Sequence, residues 1–271
     1  MIEADVSLKN IYLRYSCCMA SIVTEANGDE GIGSCFHIGE GVFVTARHVV
    51  AERVIKELRL TNPQLFYRSD LYPKRENGSY TIDRNSPRMC DGDGRLEINK
   101  GPFFHPNPTV DVAVFSTKGM SSGAHSVPLG SHLDDWIGTG DFELSRAVLM
   151  GYPPVPFTRD PILVAATAEV NAVVDLHAEG GQQVHFILSA TPRGGFSGGL
   201  AFSEYGFALG VITQSLIENN APTELGFFAT TSVEAVYVCL DEGKLMPDCQ
   251  KQGWDGFWDD APSTEGGTGK D

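Results

Sequence analysis

Gly41-Val42-Phe43-Val44-Thr45-Ala46-Arg47-His48-Val49-Val50 is the stretch from which the rest of the chain can be read. Val42 to Thr45 is a short β-branched and aromatic run leaving a Gly39-Glu40-Gly41 turn, which marks a strand. The strand runs directly into Thr-Ala-x-His, so an imidazole lies just past a strand end, on the rim of a sheet.

The β pattern continues on both sides. Cys17 to Glu25 and Ile32 to Ile38 read as strands around the turn Asn27-Gly28-Asp29-Glu30-Gly31. Ala46 to Leu60 carries Val49, Val50, Val54, Ile55 and Leu58, a spacing that predicts a short helix or helical turn. Residues 61–108 hold only strand-like pieces at Tyr80–Ile82 and Leu96–Ile98. Within them, Asp91-Gly92-Asp93-Gly94 lacks the glutamate that closes a calcium loop and reads as a hairpin turn. Val110 to Phe115 is another strand, and residues 116–140 connect two halves. Strands follow at Arg146–Met150, Ile162–Thr167, Glu169–Val174 and Val184–Leu188, then a hairpin from Leu200–Phe202 to Ala208–Ser215 and a strand at Gly226–Thr230. Thr231 or Ser232 caps a closing helix with Val233, Val236, Tyr237 and Leu240 on one side. The expected organisation is a lead-in over 1–16, one β unit over 17–135, a second over 136–245, and a flexible acidic tail over 246–271.

Composition narrows the function classes. The 271 residues are 42% apolar and 20% charged, with 30 glycines and 15 prolines, which describes a folded, turn-rich β protein. A net charge of −15 repels phosphate backbones and anionic lipid, so neither nucleic acid nor a membrane is an expected partner. No run approaches the roughly 18 apolar residues of a spanning helix, and Met1-Ile2-Glu3-Ala4-Asp5 does not begin a secretory signal. The six cysteines include an adjacent Cys17-Cys18 pair and no C-x-x-C. They read as free thiols of a cytoplasmic protein, and no metal or cofactor is expected.

Three segments carry chemistry, in the order His, Asp, Ser. The first is Gly33-Ser34-Cys35-Phe36-His37-Ile38, then Gly41 to Val50, and carries His48. The second is Thr109-Val110-Asp111-Val112-Ala113-Val114-Phe115, a carboxylate entering an apolar strand. The third is Thr191-Pro192-Arg193-Gly194-Gly195-Phe196-Ser197-Gly198-Gly199, a hydroxyl among glycines. A serine is a poor nucleophile until a base of near-neutral pKa takes its proton, and a carboxylate must orient that base. The oxyanion formed on attack needs close backbone donors, which the N–H groups of Gly195 and Ser197 can supply. Asp83, Asp91 and Asp93 compete with Asp111 as the carboxylate, but only Asp111 adjoins an apolar strand.

The constellation resembles the trypsin/chymotrypsin-like serine proteases, in particular the bacterial trypsin-like, HtrA-type branch, over residues 17–245. Gly151-Tyr152-Pro153, Gly210-Val211-Ile212-Thr213 and Gly226-Phe227-Phe228-Ala229 agree with it in order. The resemblance implies an all-β fold of two six-stranded Greek-key barrels with a C-terminal helix. It also implies a triad of His48, Asp111 and Ser197 in the cleft, hydrolysing protein or peptide substrates. The alternative is a catalytically silent module that keeps the fold and grips a peptide. Esterase action on small acyl substrates is a weaker option, and the α/β-hydrolase fold runs in the opposite order, Ser, Asp, His.

Two departures are informative. Val49 stands where digestive members have a disulfide cysteine, and Phe196 where they have the aspartate that pairs with a new amino terminus. Both suit an intracellular chain that is not activated by a cut at its N-terminus. The residues after 245 are too few for a PDZ module. By the same resemblance Thr191, Thr213, Gln214, Ser215 and Gly226 bind the substrate residue before the cut. Thr191 stands at the pocket base in place of an acid, which implies cleavage after uncharged, small to medium residues.

Overall fold

Two hairpins whose loops demand positive φ build the first three strands. In the computed structural model, which describes residues 8–60, 76–77, 88–130, 137–178, 181–190, 195–215, 217–218, 221–222 and 228–253, Asn27 and Gly28 have φ of 53° and 88°. Glu40 and Gly41 have φ of 51° and 77°. Two-residue loops of this hand match the right-handed twist of the strands they join. They link β1 (Met19–Ala26), β2 (Asp29–Gly39) and β3 (Val42–Thr45).

The helical pattern expected over 46–60 divides in two. A single turn, α2 (Arg47–Val50), is followed by β4 (Val54–Leu60), which pairs with β1. The apparent helical spacing came from adding two short elements. Within β4 the buried residues are Leu58 and Leu60, two apart, as a strand requires. With β5 (Glu97–Phe104) and β6 (Ala113–Lys118) the six strands form a sheet in the order β4-β1-β2-β3-β6-β5. Its edges meet where Leu60 N–H donates to Gly94 C=O and Leu96 N–H to Leu58 C=O, both at 2.9 Å. The Asp91–Gly94 run makes that joint, so the first unit is a half-barrel drawn together at one point.

The second unit closes completely. It contains β7 (Arg146–Gly151), β8 (Val164–Ala178), β9 (Gly181–Leu188), β10 (Leu200–Ser203) and β11 (Ala208–Ser215). A two-residue hairpin, β12 (Ile217–Glu218) and β13 (Ala221–Pro222), leads to β14 (Phe228–Ser232). The barrel order is β10-β11-β14-β9-β8-β7. The two strands expected over 162–174 are one. Ala168, which separates them in sequence, is buried and pairs with Ala147, so nothing breaks the ladder. The closing helix α3 (Val233–Gly243) buries Val233, Val236, Tyr237 and Leu240 and packs on β5 and β6 of the other unit. Ser232 occupies its N-cap, but its hydroxyl goes to the Glu234 carboxylate at 3.0 Å rather than to a backbone N–H.

Both ends are more structured than the sequence suggested. The lead-in holds α1 (Leu8–Tyr15), whose Ile11 and Tyr15 are buried, with the Tyr15 ring 4.4 Å from that of Phe202. Leu8, Ile11, Tyr12 and Tyr15 share one helical face, a pattern present in the sequence and not used. At the other end the segment expected to be loose from 246 onward is docked as far as Asp248–Gly253. Buried Gln250 donates from Nε2 to Ile38 C=O (2.6 Å) and Val127 C=O (2.9 Å) and accepts from Leu129 N–H (3.1 Å). Residues 254–271 and the strand expected at 80–82 lie outside the described residues. All six cysteines are free thiols, and only Cys249 is exposed. Among the described residues no helix is long and apolar enough to cross a membrane.

Candidate active site

β3 is buried along its whole length and delivers the chain to α2, where Val49 and Val50 anchor the turn and His48 is left facing outward. Gly33 on β2 seats this turn, because a Cβ there would fall on the Val49 methyls. Position 49 therefore needs a neighbour without a side chain, and no sulfur bridge joins α2 to β2. Arg47 reaches the other way. Its guanidinium lies 4.8 Å from the centroid of the Phe104 ring, and Nη1 donates to His105 C=O at 3.2 Å. That contact ties the helical turn to the segment leading to Asp111.

Buried Val110 and Val112 flank Asp111 and hold its carboxylate against the turn. Oδ1 accepts the His48 backbone N–H at 2.8 Å, and Oδ2 accepts the ring Nδ1–H at 2.6 Å. Because a carboxylate only accepts, the proton sits on Nδ1, which in the neutral ring makes Nε2 the acceptor. The His48 side chain is 50% exposed and that of Asp111 15%, so the imidazole reaches solvent while the carboxylate is largely covered.

The glycine-rich turn approaches from the second barrel. Gly199 N–H closes it on Phe196 C=O at 2.7 Å. Ile212 of β11 accepts from Gly198 N–H at 2.8 Å and donates to Gly199 C=O at 2.9 Å. Ser197 C=O accepts Ser34 N–H across the cleft at 2.9 Å. Gly198, at φ +78°, is pressed so close that a Cβ would fall on Ser34 O and Thr45 Oγ1. Ser197 is thereby held beside the end of β3 that leads to His48. Gly195 has φ +89°, and a Cβ there would come within 2.5 Å of Tyr152 O and 2.6 Å of Pro153 Cα. Ser197 itself is half-buried, and among the described residues its Oγ makes no hydrogen bond to His48.

The expected pocket residues separate. Thr191 and Gly226 lie outside the described residues, while Gln214 and Ser215 are the last two residues of β11. Thr213 is buried, and its hydroxyl is 3.0 Å from that of Thr231. On the β10 side, the β11 ladder described ends at Ile212, so the edge from Thr213 to Ser215 continues past the Ser197 turn. Sequence reasoning missed Ser34 as a site residue. Ser34 lies within the first chemical segment, where nothing gives it a role of its own, and its partner Gly195 is 161 residues away. Among the described residues no group of three or more His, Cys, Asp or Glu side chains can hold a metal ion.

A family model described as a trypsin-like peptidase domain matches residues 33–211. Among solved structures, the chain is similar to the Rv3671c protease from M. tuberculosis in its active form, at 16% identity and a TM-score of 0.59, covering 89% of this chain and 87% of that one. It is similar to the HtrA-type protease AlgW with tripeptide, at 16% identity and a TM-score of 0.53, covering 89% of this chain and 64% of that one. It is also similar to the serine endoprotease from Yersinia pestis, at 15% identity and a TM-score of 0.52, covering 92% and 70%. No curated protein matches in sequence.

Proposed function

The chain belongs to the trypsin-like peptidase domain family, and from that premise we propose that it is a serine endopeptidase acting through Ser197, His48 and Asp111. The observation that carries the proposal is the two-point hold of Asp111 on His48, which fixes the tautomer a general base needs. Ser197 Oγ attacks the scissile carbonyl as His48 Nε2 takes its proton. The oxyanion is met by the N–H groups of Gly195 and Ser197, and His48 returns the proton to the leaving amine. Water, activated by the same imidazole, then hydrolyses the acyl-enzyme.

Peptide binding follows from the strand edge at Thr213 to Ser215, which can accept a substrate as an added strand. Thr191, Thr213, Gln214, Ser215 and Gly226 are proposed to line the pocket for the residue before the cut. With no acid among them, a lysine or arginine there has no partner for its charge. Phe196 is buried against Gly151, so the nucleophile turn is anchored by an aromatic ring where digestive relatives use an ion pair. That anchoring fits a protease that does not depend on a cut at its N-terminus. The free thiols and the Gly33–Val49 contact fit work in a reducing, cytoplasmic setting.

A second reading, a silent peptide-binding module, is favoured by one observation, the absence of a hydrogen bond from Ser197 Oγ to His48. Catalytic hydrogen bonds are often long in unliganded enzymes and tighten with substrate. Labelling with a fluorophosphonate, comparing wild type with Ser197→Ala, separates the two, and mapping of cleaved peptides then gives the substrate class. Labelling that needs Ser197, together with cleavage, is the expected result. Peptide binding without either supports the silent module.

A further inference from the structure

Ser34 is a residue of β2 with no exposed surface, and each of its polar groups is committed to the catalytic region. Its N–H donates to Ser197 C=O at 2.9 Å, and its C=O accepts from Thr45 Oγ1 at 2.7 Å. Its hydroxyl lies between Gly195 C=O at 2.7 Å and Tyr152 N–H at 2.8 Å. Tyr152 N–H can only donate and a carbonyl can only accept, so the direction is settled. Tyr152 gives a proton to Oγ, and Oγ gives its own to Gly195. A buried hydroxyl is costly when unpaired, and this one is satisfied in both directions.

The consequence falls on Gly195. Ser34 fixes its carbonyl, and Tyr152 O and Pro153 Cα crowd its Cα so closely that no side chain fits. Its N–H, the group the reaction would use, takes no part in this clamp. Ser197, two residues on, is fixed through its carbonyl by the same serine. One residue of the first unit thus sets the backbone of both oxyanion donors carried by the second.

We infer that Ser34 is a positioning residue for the oxyanion hole, holding Gly195 and Ser197 so that their N–H groups converge on the scissile carbonyl. The inference rests on the serine protease reading and adds to it how the hole is kept in shape. Alanine at 34 takes that hydroxyl away from the buried Tyr152 N–H and from Gly195 C=O, and the turn gains freedom. Because the donors matter most in the transition state, the loss falls on kcat and spares KM.

The test compares wild type, Ser34→Ala and Ser34→Thr on a peptide anilide, with rates normalised to the Ser197 sites that a fluorophosphonate finally labels. Ser34→Ala is expected to lose about tenfold to a hundredfold in kcat, less than outright loss of an oxyanion donor, with KM within about twofold. Ser34→Thr, which keeps the hydroxyl, is expected to recover most of kcat. Amide hydrogen exchange at Tyr152 and residues 195–198 is expected to quicken in Ser34→Ala and not in Ser34→Thr. If Ser34→Ala does not fold, Ser34→Cys, which keeps the volume with a weaker donor, takes its place with the same expectations in smaller degree. A lower melting temperature with unchanged kcat per labelled site overturns the inference and leaves the protease reading intact. A folded wild type that neither labels nor cleaves overturns the protease reading and the inference with it.

Discussion

Replacing Gly195 by alanine tests the oxyanion hole directly, and the structure sets the size of the effect. The added Cβ would lie 2.5 Å from Tyr152 O, 2.6 Å from Pro153 Cα and 2.8 Å from Pro154 Cδ. These are backbone and ring atoms, which cannot swing aside as a flexible side chain would. Ordinary contact lies near 3.5 Å, so the turn must retreat by about 1 Å. A displacement of about 1 Å at a reacting centre costs on the order of 10² in rate, and removal of one oxyanion donor about 10²–10³. The expected fall in kcat is therefore about 10²–10³. Stability falls too, since φ of +89° strains an alanine by about 1–2 kcal/mol and the overlap adds about 1–3 kcal/mol. That lowers the melting temperature by roughly 5–15 °C. Turnover of a peptide anilide, measured well below the variant's melting temperature and per titrated active site, reads the first effect, and calorimetry reads the second. A folded Gly195→Ala enzyme with wild-type kcat would refute the assignment of Gly195 to the hole.

Ser197→Ala and His48→Ala should each lose about 10⁵–10⁶ in kcat, with the double variant barely worse, because they act as a unit; additive losses in steady-state assays would contradict this. Asp111→Asn should lose about 10⁴ while folding normally, since the amide reverses the tautomer that the carboxylate imposes. A peptide-library profile should favour uncharged, small to medium residues before the cut, and dominance of Lys or Arg there would show the pocket base misassigned. Burial pushes the His37 imidazole down from 6.5 to about 4, with its Nδ1–H on His125 C=O and its Nε2 accepting Gly41 N–H. Between those pH values the unfolded chain binds the extra proton, so stability falls by up to about 3 kcal/mol as pH drops from 6.5 to 4. Urea unfolding of wild type and His37→Gln across that range should show the variant with the shallower slope, and parallel slopes would count against a neutral buried ring. A thiol reagent should modify Cys249 quickly in the native protein and all six cysteines after denaturation without reductant, and fewer than six would reveal a disulfide.

Local patterns in the sequence were enough to place the three chemical segments on their elements. Val42 to Thr45 had to be a strand, so His48 had to stand at its end. Asp111 had to lead into an apolar strand, and the glycines around Ser197 announced a tight turn, because each of these features is settled by neighbours a few residues away. The sequence was weaker where two periods overlapped. Residues 46–60 mixed one helical turn with a strand, and α1 is only eight residues long, too short for its apolar face to stand out by period alone. Only the tertiary structure decided which groups meet. That Asp111 holds both the backbone and the ring of His48, that Gly33 makes room for Val49, and that Gln250 fastens the chain end beneath Ile38 are facts of pairing across distance. Ser34 is the clearest case. By sequence it is one hydroxyl in a strand, and its role exists only because folding brings Tyr152 and Gly195 to the same oxygen. Periodicity and turn chemistry are carried by adjacent residues, whereas a buried hydrogen bond depends on the path of the whole chain between its partners.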